Sequence, residues 1–159
     1  MQRLMRAAVI GILGCLAAAM GSAADDKPGP AAPGKRFITM AAVEMKGGAT
    51  VDKEPFPGQA LPEGAGYVLK KPDASGRWEV STYRFMPSQI LVNRGDEVTL
   101  EMVGINGDEH PTVIEGYAVT LIVKRGQVSR VTFKADKAGV FPIVCGKHHP
   151  AMRGELIVL

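Results

Sequence analysis

Cysteine, histidine and aromatic residues are all scarce in this chain: 2 Cys, 3 His and 1 Trp in 159 residues, with aromatics at 6%. Two cysteines cannot staple a small disulfide scaffold. Charge of one sign is also nearly lacking. The 19 Lys and Arg face 16 Asp and Glu, and Arg3 and Arg6 lie in a segment read below as removed. Without them 17 basic residues stand against 16 acidic ones, too small an excess for a nucleic-acid footprint, so no nucleic-acid partner is expected. Beyond the extreme N-terminus no apolar run approaches the roughly 18 residues of a spanning helix, so the mature form is expected to have no membrane span. With 46% hydrophobic residues at this length, one domain with a real core is the expectation.

The first 24 residues read as an address. Met1 to Arg6 carries two arginines and no acid, and Ala7 to Met20 is apolar. Gly21-Ser22-Ala23-Ala24 then supplies small residues before Asp25-Asp26. Together these are the three parts of a signal peptide, cut after Ala24. Ile12-Leu13-Gly14-Cys15 is a poorer match to a lipoprotein box. The mature chain of about 135 residues is then exported, to a bacterial periplasm. Cys145 becomes its only cysteine, and a lone thiol in an oxidising compartment is a liability unless it is buried or ligated.

After the signal peptide, residues 25–36 are rich in Pro, Gly and Ala and read as a flexible lead-in. The domain is placed at 37–159. Phe37 to Met45 is a candidate first strand, and Lys46 to Gly66, with five glycines and three prolines, reads as a long surface excursion. Arg77 to Phe85 alternates, with Trp78, Val80, Thr82 and Arg84 on one side and Tyr83 and Phe85 on the other. Short β-rich runs follow: Gln89 to Asn93, Glu97 to Val103, Tyr117 to Val123, Val128 to Lys134, Val140 to Cys145 and Glu155 to Leu159. Turn formers such as Arg94-Gly95-Asp96 and Asn106-Gly107-Asp108 separate them. The expected class is all-β, an antiparallel Greek-key sandwich or barrel.

The chemistry-bearing residues fall in two places. His110 lies beyond the Glu97 to Val103 strand, in what reads as a loop. Cys145, His148, His149 and Met152 lie together between the last two strands. Taken singly, the histidines could be solvated, the methionine a core plug and the cysteine a small buried hydrophobe. Taken together, those bland readings require every histidine and the one exported thiol to gather at strand ends by accident. Two histidines and a cysteine with a weak axial methionine describe a blue-copper electron-transfer site. Zinc more often takes additional thiolates or an open water position, and composition alone leaves it in play.

From about Tyr83 to Leu159 the chain resembles a cupredoxin, and most closely the copper domain of cytochrome c oxidase subunit II. The C-G-x-x-H-x-x-M-x-G pattern of that domain is matched by Cys145, Gly146, His149, Met152 and Gly154. Its upstream histidine and V-E-G-like step are matched by His110 and Ile114-Glu115-Gly116. The binuclear centre of that family needs a second cysteine four positions before the matched one, where this chain has Phe141. The resemblance therefore implies one copper ion, held by His110, Cys145, His149 and Met152. The same region also resembles nitrosocyanin, a mononuclear red copper protein. That spacing, like the plastocyanin-like one, selects His148 as the alternative to His149. Met152 and Gly154 match in the register that selects His149, which is therefore the expected ligand.

Phe141, Ile143 and Cys145 share a strand face and should set apolar bulk beside the sulfur. Pro142, which cannot donate to a ladder, conflicts mildly with a central strand. Trp78 and Tyr83 read either as core aromatics or as an electron-receiving patch of the oxidase kind. The expected function is that of a periplasmic one-electron carrier between redox partner proteins, not an enzyme. Copper delivery without redox work, or an open catalytic copper site, are the alternatives. The mature methionines are scattered, which favours the carrier.

Overall fold

The computed structural model describes residues 32–159. The expected signal peptide, Cys15 and most of the lead-in lie outside the described residues. Among the described residues there are ten strands and no helix. They are β1 (Lys35–Thr50), β2 (Tyr67–Lys70), β3 (Arg77–Met86), β4 (Gln89–Val92) and β5 (Glu97–Gly104), then β6 (Glu109–Ile114), β7 (Val119–Lys124), β8 (Val128–Lys134), β9 (Gly139–Cys145) and β10 (Arg153–Val158).

They form two five-stranded sheets, ordered β2-β3-β1-β5-β8 and β4-β10-β9-β6-β7. This is the expected β-sandwich. Six of its strand pairs are antiparallel, while β1 with β5 and β4 with β10 run parallel. Period-two alternation turns one face of each sheet inward. Met40 and Ala42 of β1, Phe85 of β3, and Val98, Leu100 and Met102 of β5 meet Ile114, Ile143, Leu156 and Val158 from the second sheet. Burying each large side chain of this set stabilises the fold by about 1.5–3 kcal/mol, which is what holds the sheets face to face.

Three expectations need correction. His110 is not in a loop but near the start of β6. Lys35 and Arg36, expected in the lead-in, already belong to β1, which also runs on through Lys46 to Thr50. Gly47 and Gly48 stay in register opposite Val80 and Glu79, so the excursion begins five residues later than expected. The Pro142 conflict resolves in the ladder. β9 is central, and the Pro142 carbonyl accepts from Glu115 N–H just past the last β6 pair, Ile114 with Ile143. In an antiparallel strand a residue's N–H points to the same side as its C=O. The missing donor therefore falls where β6 pairing ends.

The long β1 sets up the functional end of the molecule. Its first part, Lys35 to Ala42, pairs with β5, but β5 stops at Gly104. Beyond Ala42 the strand pairs only with β3, which in turn carries β2. These three strands project past the end of the sandwich as an overhang.

Candidate metal centre

The centre is built where β6, β9 and the β9–β10 loop reach that end. Cys145 closes β9 and pairs with Thr112 of β6, two residues after His110. His110 and Cys145 are both fully buried. The loop from Gly146 to Met152 is folded back by two backbone bonds, Met152 N–H to the His148 carbonyl at 2.9 Å and Cys145 N–H to the Met152 carbonyl at 3.1 Å. His148 is thereby turned inward and His149, the next residue, outward into solvent.

The ligand-type atoms of His110, Cys145 and His148 all lie within 4.8 Å of one another. The two imidazole Nδ1 atoms are 3.1 Å apart. The Cys145 sulfur is 3.5 Å from His148 Nδ1 and 3.9 Å from His110 Nδ1. A metal with bonds of roughly 2.0 Å to nitrogen and 2.3 Å to sulfur would space such donors about 3.3–3.7 Å apart. A soft thiolate with two imidazoles is also a donor set suited to copper, so the residues fit the ion. His110 Nε2–H donates to the Asn106 carbonyl at 2.8 Å, which leaves the Nδ1 lone pair facing the sulfur. Burial, and then the proximity of the His110 imidazole and the Lys147 ammonium, lower the His148 pKa from its ordinary value. The shift favours the neutral imidazole, the form that can donate a lone pair.

Of the residues singled out in the sequence, the structure gathers His110, Cys145 and His148, and it does not bring His149 into the group. Met152 is fully buried in the core and tied to the trio through the two backbone bonds just named. Sequence spacing favoured His149 because Met152 and Gly154 fit that register. The turn of the backbone at 148–149 brings its neighbour in instead.

Three neighbours of the trio carried weak sequence signals. Asn106 uses its carbonyl for His110 and its side-chain Oδ1 to accept Glu44 N–H at 3.0 Å, pinning the β5–β6 turn to β1. Gly107 has φ +76°, and a Cβ there would fall 2.9 Å from the His110 ring. Turn chemistry predicts such a glycine but not what it packs against. Tyr83 shares the inner face of β3 with buried Phe85 and stacks on His148, ring centroids 4.1 Å apart at 34°. It also leans over His110 at 5.1 Å and 58°. Burial, followed by the Glu44 carboxylate, raises its phenol pKa. Trp78, five residues earlier on the opposite face, packs edge-on to Phe56 and donates its indole N–H to the Glu54 carbonyl at 2.8 Å. The two aromatics do not form one patch.

The sequence matches the family model of the cupredoxin-like domain over residues 68–158. No curated protein matches the chain. Similar solved structures include a heme-copper terminal oxidase dimer, 26% identical with a TM-score of 0.40 over 45% of this chain and 51% of that one. A blue copper protein, auracyanin A of the green thermophilic photosynthetic bacterium Chloroflexus aurantiacus, is 17% identical with a TM-score of 0.41, over 48% and 89% of the two chains. Copper nitrite reductase of Nitrosomonas europaea is 20% identical with a TM-score of 0.50, over 78% of this chain and 41% of that one. The chain thus spans about half of the oxidase chain it matches and less of the reductase. At this identity the reductase likeness shows a common fold alone.

Proposed function

The chain belongs to the cupredoxin-like domain family, and from that premise we propose that it is an exported mononuclear copper protein carrying single electrons between redox partner proteins of the periplasm. The observation that carries the proposal is the convergence of two imidazole nitrogens and one buried thiol within 4.8 Å at one end of the sandwich. His110, Cys145 and His148 would hold the ion, with Met152 of the same loop as a weak fourth donor. His149 stands exposed beside them as a partner contact.

Bound copper supplies a one-electron couple that thiolate and imidazole donors tolerate in both states. The rest is the work of the chain. His110 and Cys145 sit on adjacent, hydrogen-bonded strands, so their donor atoms have little freedom to rearrange when charge changes. Asn106 holds His110 in one tautomer. Burial of Cys145 and Ile143, with Phe141 packed against the same core, keeps water from the sulfur. A delivery protein would want an exposed, exchangeable donor set, whereas His110 and Cys145 are fully buried. The nitrite reductase neighbour has this fold in an enzyme, so the carrier role rests on the donor set and not on the fold. Export rests on the N-terminal sequence pattern. Among the described residues no helix is long and apolar enough to cross a membrane.

The test is the visible and EPR spectrum of the Cu(II)-loaded protein beside Cys145→Ser, His148→Ala and His149→Ala. An intense thiolate-to-copper band, lost in the first two variants and kept in the third, is the expected result. Loss with His149→Ala alone would return the ligand role to that residue. No thiolate band in the parent protein would sink the electron-carrier reading.

A further inference from the structure

We propose that Tyr83 is the access-determining residue of the centre, a fixed roof that keeps solvent-borne reagents from Cys145 and from whatever ion it holds. The proposal rests on the trio being the functional centre, and it adds how that centre is closed. Tyr83 comes from the other sheet, on the overhang that exists only because β1 outruns β5. It pairs with Glu44 of β1, and its neighbour Thr82 pairs with Tyr67 of β2, so the backbone beneath the ring is held from both sides.

Two clefts, of ≈ 350 Å³ and ≈ 530 Å³, open on either side of the Tyr83–His148 stack and share Glu44, Tyr83, Lys147 and His148 as walls. Neither is lined by Cys145 or His110. Solvent therefore reaches the stack from both flanks and stops there. The seal is tight on the Gly107 side, where an added Cβ would lie 2.9 Å from the His110 ring and 3.0 Å from Tyr83 Cε1. The phenol oxygen makes no hydrogen bond among the described residues, so the roof is the ring and not the hydroxyl.

The experiment is alkylation of the metal-free full chain by iodoacetamide, a small neutral reagent. The rate is read at the Cys145 peptide by mass spectrometry, which separates it from Cys15. Tyr83→Ala should react about tenfold faster than the parent protein, because thiol reactivity follows exposure. Tyr83→Phe should react as slowly as the parent. Tyr83→Leu, which keeps apolar bulk on β3, should also be faster and serves if the alanine variant does not fold. Asp96→Asn, at the far end of the sandwich, controls for global loosening and should leave the rate unchanged. An unchanged rate in both Tyr83→Ala and Tyr83→Leu would overturn the proposal, as would an Asp96→Asn rate as fast as theirs. Because no copper is present, failure of the roof and failure of the copper reading are separate results.

Discussion

At one end of the sandwich the Asp96 carboxylate is fully buried and accepts from Gly34 N–H at 2.7 Å, Arg36 Nε at 2.9 Å and Asn93 N–H at 2.9 Å. At the other end, roughly 25 Å away along the eight residues of β5, lie His110, Cys145 and His148. Asp96 is finished by the chain itself, with backbone and guanidinium donors offsetting the cost of burying its charge. In the trio only His110 Nε2 has such a partner, the Asn106 carbonyl. The His110 Nδ1, His148 Nδ1 and Cys145 Sγ atoms lie between 3.1 and 3.9 Å from one another, close enough to share a proton or a cation. One end is built to close the fold, with the start of β1 strapped to the β4–β5 turn. The other gathers three side chains that together make a possible metal site.

The largest effect that sharpens this contrast is stabilisation by the ion. Copper at a hundred times its Kd should add about 2.7 kcal/mol if it binds only the folded chain. For a domain of this size that is a rise in Tm of roughly 10 °C. Cys145→Ser should lose the whole increment, while Asp96→Asn should start from a lower Tm and keep it. Scanning calorimetry with and without Cu(II) makes the comparison. If Asp96→Asn loses the increment too, the two ends are coupled and the contrast fails.

The next effect belongs to the closed end alone. The Arg36 guanidinium, then the Gly34 and Asn93 amides, lower the Asp96 carboxyl from 3.8 to about 2. A carboxyl depressed in the folded state stabilises the fold above its unfolded pKa, and that stability is lost as pH falls through the folded value. Between about pH 4 and pH 2 the Tm should therefore drop. Asp96→Asn should begin several degrees lower at neutral pH and show a shallower acid slope. The slope should not vanish, because Glu44, Asp73 and Glu79 are also held below their ordinary values by hydrogen bonds and nearby cations. An acid slope identical to the parent's would mean that Asp96 is not the strap.

The two ends also differ in how far they could be read from the sequence. The sandwich and most of its strands were legible because alternation is a local signal. The gathering of His110 and Cys145 with one histidine of the 148–149 pair was legible because histidine and cysteine are so few. β6 was not, because its inward positions are His110, Thr112 and Ile114, and two polar side chains facing in hide the apolar alternation. Pro111 hides it further. The choice between His148 and His149 was not legible either. The residues are adjacent, and two backbone bonds around Met152 decide which one faces the sulfur. Tyr83 was legible only as sharing a strand face with Phe85, opposite Trp78. Its place over the histidines depends on β1 outrunning β5, a register set by pairing Glu44 with a residue far along the chain.

The smallest expected effect separates the two aromatics of β3, for both of which the sequence left the core and the electron-receiving readings open. Trp78 and Tyr83 are an odd number of residues apart, so their side chains leave the strand on opposite faces. Tyr83 looks in toward the trio. Trp78 looks out, under the segment that carries Glu54 and Phe56. Trp78→Phe keeps most of the apolar contact with Phe56 but deletes the indole donor. The Glu54 carbonyl sits at an exposed residue and can take water instead, so the loss should be about 0.5–1.5 kcal/mol. The copper spectrum and the Cys145 alkylation rate should not move, because nothing in the contacts of Trp78 leads to the histidines. A shift in either readout would mean that the overhang transmits strain along β3 from its outer face to its inner one. In that case Tyr83 would be a roof whose fit depends on packing some 17 Å away along the strand, and not on the Gly107 seal alone.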